Sequence, residues 1–264
     1  MALIAPKRYC EYLTQERYHP RSNKHGDFLA QAFLADLLEQ SPLLKKAAAQ
    51  GKVAYSLNFA IQVAFVQEGI TEETLKDLAW NIDLAFGIPK TEPPAKGKKR
   101  KERMLDGAVI KEADLADIWM MVDAKGVMTE HGKARRNRQR DLTALWAVMH
   151  TFYPKSVVGA VLPINIAKTF QSPLNDHETD HGNIEQIVKE TLAIFRAVKR
   201  KSATSESGIE GVGCFVVDFS NKPGDKAALR TTAPAPTGDD PIRYENFASS
   251  MARHLEERFG SRLA

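Results

Sequence analysis

Asp106, Asp123 and Lys125 are the residues of this chain whose types and spacing could do chemistry. Residues 104–110 and 118–124 are apolar and β-branched enough for strands, and the polar segment 111–117 between them reads as their turn. Cross-strand partners in a hairpin have a constant position sum. Asp106 and Asp123 are centred between Asp114 and Leu115, inside that turn, so their carboxylates are expected on neighbouring strands, about 5 Å apart at Cα. Lys125 lies two residues past Asp123 and projects from the same strand face. Two convergent carboxylates repel strongly in an apolar setting unless a cation joins them. Mg²⁺ favours one or two carboxylates together with phosphate and water oxygens. The implied chemistry is metal-assisted phosphodiester hydrolysis.

The pattern Asp106, then Asp123-Ala124-Lys125, resembles the PD-(D/E)xK nuclease motif, with Leu105 where that family often has proline. Its surroundings resemble a type II restriction endonuclease: an Arg-rich helix over 133–150 and a strand over 155–164 follow, in the order usual after the motif. The recognisable part spans 104–165. The resemblance implies an α/β, restriction-endonuclease-like core with a mixed central β-sheet flanked by helices. It also implies Mg²⁺-dependent cleavage of double-stranded DNA at a specific palindromic site, leaving 5′-phosphate ends. Asp106, Asp123 and the Ala124 carbonyl would hold the metal. Lys125 would orient or deprotonate the attacking water and stabilise charge developing at phosphorus. Two antiparallel strands call for two symmetry-related sites, hence a homodimer, and a cognate DNA methyltransferase is expected as a genetic rather than a physical partner. Two other readings compete: a repair or recombination nuclease of the same superfamily, and a DNA-binding protein whose aspartates are structural.

Positioning those residues falls to the elements around them. Before the motif, residues 27–40, 57–68 and 72–86 read as helices, and Gly87, Pro89, Pro93, Pro94 and Gly97 mark a connection. This suggests an N-terminal helical region, 1–95, packed on a nuclease core, 96–264, or a single domain over 1–264. After the motif, 182–201 reads as a helix, 211–218 as a buried strand and 244–259 as an amphipathic C-terminal helix.

The net charge of +4 is concentrated in two clusters that flank the motif. Residues 96–103, with Lys99 and Arg100, lead into Asp106. Arg135, Arg136, Arg138 and Arg140 follow Lys125 on a helix anchored by Leu142, Leu145, Trp146 and Met149. Such arginines can neutralise phosphates or read guanine edges, and at helical spacing Arg136 and Arg140 share one face while Arg135 and Arg138 share a neighbouring one. Asp27 and Glu130 are candidates for an additional acidic ligand, although a first-turn helix carboxylate and a loop carboxylate explain them as well. The segment 176–183, faintly like an HNH nuclease, lacks the paired cysteines of such a module and reads as a polar loop capping a helix. Cys10 and Cys214 lack metal or disulfide-framework spacing, so reduced thiols in a cytoplasmic protein are expected. No apolar run is long enough to span a membrane, and the N-terminus lacks a signal-peptide core.

Overall fold

The computed structural model of the chain describes residues 4–62, 79–91, 102–105, 108–174 and 177–263. Among them are the helices α1 (Ala5–Gln15), α2 (Lys24–Gln40), α3 (Pro42–Ala49), α4 (His131–Phe152), α5 (Ile184–Arg196) and α6 (Tyr244–Leu263). The strands are β1 (Ala54–Gln62), β2 (Ala79–Pro89), β3 (Glu102–Leu105), β4 (Ala108–Glu112), β5 (Leu115–Ala124), β6 (Val157–Asn165), β7 (Thr169–Gln171), β8 (Glu178–Asp180), β9 (Gly211–Asp218) and β10 (Ala228–Arg230). Eight of them form one sheet in the order β10-β9-β6-β5-β2-β1-β4-β3, and β7 and β8 make a separate ribbon. The chain is thus α/β with a mixed central sheet flanked by helices.

Antiparallel pairing of β1 with β2 and of β2 with β5 gives way to parallel pairing of β5 with β6 and of β6 with β9. Parallel neighbours need long crossovers, and α4 and α5 supply them. β6, Val-Val-Gly-Ala-Val-Leu-Pro-Ile-Asn, is buried along its whole length, as a parallel strand covered on both faces should be. On one face, Phe33 and Leu37 of α2 join Phe247, Met251 and Leu255 of α6 against Leu84, Met120 and Val122. On the other, Leu142, Leu145 and Met149 of α4 and Val188, Leu192 and Phe195 of α5 cover Met121, Val158, Ala160 and Leu162. Close approach of α6 depends on glycine, since a Cβ on Gly213 would stand 2.4 Å from the Phe247 ring.

Two expectations are corrected. The helices read over 57–68 and 72–86 are strands where they are described, β1 running to Gln62 and β2 beginning at Ala79; residues 63–78 lie outside the described residues. Nor do the two apolar arms pair with each other. β3 and β4 form their own hairpin, with Leu105 opposite Ala108, and β4 continues the sheet beside β1. β1 and β2 therefore stand between that hairpin and β5. The cause is energetic: β5, buried over most of its length, pairs along its length with the long strand β2, whereas a direct hairpin would leave β2 without a partner on that side.

Candidate functional site

β5 ends at Ala124, and Lys125 continues it far enough for its backbone N–H to donate to the Val161 carbonyl of β6 at 3.1 Å. Asp123 is 3 % exposed. The Lys125 Nζ lies 2.7 Å from Asp123 Oδ1 with its own side chain about one-third exposed, at 32 %. This contact is an ion pair, and the Lys125 ammonium is the partner of the buried Asp123 Oδ1. Asp123 and Lys125 are therefore brought together as the spacing predicts.

The second carboxylate is Asp83, on β2. Leu84 pairs with Val122 and Ala85 with Met121, so one further step in this antiparallel register sets Asp83 against Asp123. Its Oδ2 accepts a hydrogen bond from the Ala124 N–H at 2.7 Å. Burial, and then the Asp123 carboxylate, push the Asp83 acid up to about 7, against the pull of the Ala124 N–H and the Lys125 ammonium. For Lys125, burial favours loss of the proton, but Asp123 and Asp83 outweigh it and raise its pKa above the usual lysine value. Lys125 is thus an ammonium at neutral pH, suited to donate hydrogen bonds and to neutralise charge.

Asp106, Lys99 and Arg100 lie outside the described residues. The place opposite Asp123 that the sequence expectation reserved for Asp106 is taken by β2, because β3 and β4 belong to the far edge of the sheet.

A third element reaches the pair from α2. A Cβ built on Gly26 would stand 3.1 Å from the Ala124 carbonyl oxygen and 3.5 Å from Asp83 Oδ1, so the absence of a side chain here keeps open the space beside both oxygens. Asp27 follows, and its Oδ1 accepts from Asn58 Nδ2 at 2.9 Å, with Asn58 in the left-handed region at φ 50°. Glu130, also left-handed at φ 46°, is exposed at the start of α4 and lines a cleft with His131, Lys133 and His181. His131 and His181 pack edge to face with centroids 4.6 Å apart, and burial holds His131 down to about 4, a neutral imidazole bound to the Asn165 carbonyl at 2.7 Å. Asp176 lies outside the described residues. Among the described residues, no group of three or more His, Cys, Asp or Glu side chains is arranged to hold a metal ion.

Mg²⁺, the ion that the resemblance implies, fits what is present. Asp123 Oδ1 is buried with the Lys125 ammonium beside it, Asp83 resists ionising because it is buried and faces Asp123, and Gly26 leaves room beside the Ala124 carbonyl. Two carboxylates and a carbonyl are a hard-oxygen set that Mg²⁺ completes with water.

The four arginines of α4 divide as helical spacing predicts. Arg136 and Arg140 are exposed, and Arg136 Nε donates to its own helix at Gly132 O. Arg135 and Arg138 are half-buried and engaged by carboxylates, Glu190 at 2.8 Å and Asp141 at 2.6 Å. Arg138 is near enough to Lys125 and Tyr18 to influence both, and its buried Nε has no hydrogen-bond partner.

Asp83 and Gly26 are the site residues that the sequence reading missed. Residues 79–86, Ala-Trp-Asn-Ile-Asp-Leu-Ala-Phe, alternate with period two, a strand signal that places an acid among apolar residues. No helix of the described residues is long and apolar enough to cross a membrane. Comparison with protein-family models, with curated proteins and with solved structures finds no match to this chain.

Proposed function

We propose that this protein is a Mg²⁺-dependent endonuclease that cleaves double-stranded DNA, with Asp83, Asp123 and Lys125 as its catalytic residues. The observation that carries this reading is the meeting of two carboxylates on adjacent antiparallel strands with a lysine ammonium 2.7 Å from one of them. An acid that does not ionise until about pH 7, beside a buried carboxylate, is the electrostatic signature of a site built for a cation. The resemblance noted in the sequence supports the substrate class, with Asp83 in the role first given to Asp106.

Asp83, Asp123 and the Ala124 carbonyl would hold the ion. Bound there, Mg²⁺ would withdraw charge from the scissile phosphate and lower the pKa of a coordinated water. Lys125 would donate hydrogen bonds to the attacking water and to a non-bridging phosphate oxygen, and its positive charge would offset the negative charge that grows there. Because Lys125 retains its proton at neutral pH, it orients the nucleophile and does not serve as the general base. In-line attack would form the new P–O bond and break P–O3′, the nucleophile's proton passing to bulk water and the leaving 3′ oxygen taking one from it, to leave a 5′-phosphate and a 3′-hydroxyl. Cutting both strands of a duplex at a palindrome would need two copies of the site, hence the homodimer of a type II restriction endonuclease.

Incubation of the purified protein with phage DNA and Mg²⁺ tests the reading. Discrete fragments support a restriction enzyme, and a smear or end resection supports a repair nuclease. Intact DNA over all metals tried would leave a binding protein. Asp83→Asn and Asp123→Asn should each abolish cutting while Asp106→Asn does not; the opposite ranking of Asp83 and Asp106 would overturn the assignment made here.

A further inference from the structure

We propose that the DNA backbone on its way to the site is received by a rigid basic rim made from the α1–α2 connection, the first turn of α2 and the β9–β10 connection. Arg21, Lys24 and Lys226 are its phosphate contacts. The inference rests on the nuclease reading for the identity of the polymer, but its residues lie outside the proposed catalytic set.

Asn221 makes the two connections one body. It is fully buried at 0 % exposure and sits in the left-handed region at φ 61°. Its Oδ1 accepts from Tyr18 N–H at 2.7 Å, and its Nδ2 donates to the carbonyls of Tyr18 at 3.0 Å and Gln171 at 2.8 Å. Its own carbonyl accepts from Arg17 Nε at 2.9 Å. Four hydrogen bonds from one side chain and carbonyl fix a surface segment that its own short sequence could not hold.

A second buried asparagine fastens this body to the catalytic end of the sheet. Asn165 donates to the carbonyls of Met128 at 3.0 Å and Phe219 at 2.9 Å, and its Oδ1 accepts from Phe219 N–H at 3.1 Å. The loop after Lys125 and the loop after β9 are thereby joined. Lys24 opens α2, the helix that also carries Gly26, where a built Cβ would stand 3.1 Å from the Ala124 carbonyl oxygen, so the rim and the site share one helix.

Cations without an ion pair stand on this edge as they do on α4, where Arg136 and Arg140 are exposed and unpaired among the described residues. On other surfaces Arg196, Arg243, Arg253 and Arg262 each meet a carboxylate within 3.0 Å. Arg21, Lys24 and Lys226 are exposed, and among the described residues the ion pair on this edge is that of Lys222 with Glu178. Of the acids beside them, Glu178 pairs with Lys222 at 2.7 Å, and Asp225 accepts from the N–H and hydroxyl of Ser220 and from the Lys226 N–H. Asp218 remains exposed in the cleft beside Lys226. Cations held on a stiff backbone and in no direct ion pair can replace the counterions of a polyphosphate. Exposed lysines that moved with a loose loop would lose more freedom on binding.

The test measures binding of a duplex of about 20 base pairs by the full chain in Ca²⁺ across a range of salt, together with single-turnover cleavage in Mg²⁺ at saturating protein. Arg21→Ala, Lys24→Ala and Lys226→Ala should each lower the slope of log affinity against log salt by about one unit, and the triple variant by about three. Affinity of the triple variant at moderate salt should fall at least about tenfold for every sequence, with the saturated cleavage rate within a few-fold of wild type. Lys46→Ala, on α3, should change neither quantity. Wild-type slope and affinity in the triple variant, in a protein that still binds and cuts DNA, would overturn the rim alone. Loss of slope in a protein that never cuts would uphold the rim and overturn the nuclease reading. A wild type with no affinity for duplex would overturn both.

Discussion

Asp83→Asn separates a metal site from a structural carboxylate, because the two readings give opposite signs for stability. Burial and Asp123 carry the Asp83 pKa from 3.8 to about 7. A raised acid pKa means that the folded chain holds its proton over a range where the unfolded chain releases it. The resulting penalty is absent below about pH 4, grows as pH rises, and is complete above about pH 7. At about 1.4 kcal/mol for each tenfold change in proton affinity, the full difference is roughly 4 kcal/mol. The side chain still touches solvent, so about 2 kcal/mol is the expected size. Asparagine retains an oxygen to accept from the Ala124 N–H and carries no charge. The variant should therefore melt about 4–8 °C above wild type at pH 8 without divalent metal and at the same temperature at pH 4. Mg²⁺ should raise the wild-type melting temperature at pH 8, more than at pH 6, and leave the variant unmoved. Thermal scans by circular dichroism at the three pH values, with EDTA or Mg²⁺, read all of this directly. An Asp83→Asn protein less stable than wild type at pH 8 would refute the electrostatic argument, since it would make the carboxylate a net stabilising partner of Ala124.

Three further outcomes are expected. Gly26→Ala should leave metal-free stability unchanged or slightly raised, alanine being favoured over glycine in a helix by up to about 1 kcal/mol, while its methyl crowds the Ala124 carbonyl. Titration by melting temperature should show Mg²⁺ affinity weakened about tenfold or more; equal affinity would remove that carbonyl from the site. Lys125→Ala should slow single-turnover cleavage by at least about 100-fold with stability within about 1 kcal/mol of wild type, and a rate within a few-fold of wild type would deny the lysine its role. Glu210→Gln probes the other end of the sheet. There the buried Glu210 faces Arg258 at 2.6 Å, His150 at 3.2 Å and Lys201 at 3.6 Å. Removing its charge should cost about 3–5 kcal/mol in urea unfolding, with the cleavage rate of folded protein intact; a loss under about 1 kcal/mol would show that solvent already compensates those cations.

The parts of the fold that were legible in sequence are those whose pattern is long and of one period. Residues 133–150 carry apolar positions at helical spacing and lie within α4, and 211–218 are β9 residue for residue. β1 and β2 were lost to a competition between periods. Leu57, Phe59 and Ile61 alternate, and so do Trp80, Ile82, Leu84 and Phe86, but each run is short, and the intervening segment is rich in good helix formers such as Glu72, Glu73, Leu75 and Lys76. Propensity carried the helical reading into segments that pair as strands in the sheet. α1 and α3 were passed over because neither is long, though Pro6 and Pro42 stand at their first turns, where proline is favoured.

At the site, the Asp-Ala-Lys end of β5 was legible because its two side chains are fixed by the strand alone: positions two apart share a face whatever the neighbouring strand. The partner carboxylate depends on which strand lies alongside, and that is a question of sheet order. Hairpin reasoning assumes the nearest apolar segment in sequence; here the neighbour is β2, and β3 and β4 lie between the two in the chain. What decides the order is burial. β5 pairs with β2 on one side and β6 on the other, and a hairpin from β4 would have replaced the long β2 by a five-residue strand. The same preference sets Asp83 in an apolar strand, where it resists ionising. An acid between Ile82 and Leu84 is costly for folding alone, a cost that the proposed cation would offset. Carboxylates embedded in strands that alternate with period two are therefore the first place to look for the second ligand in a chain like this one, ahead of acids in the nearest turn.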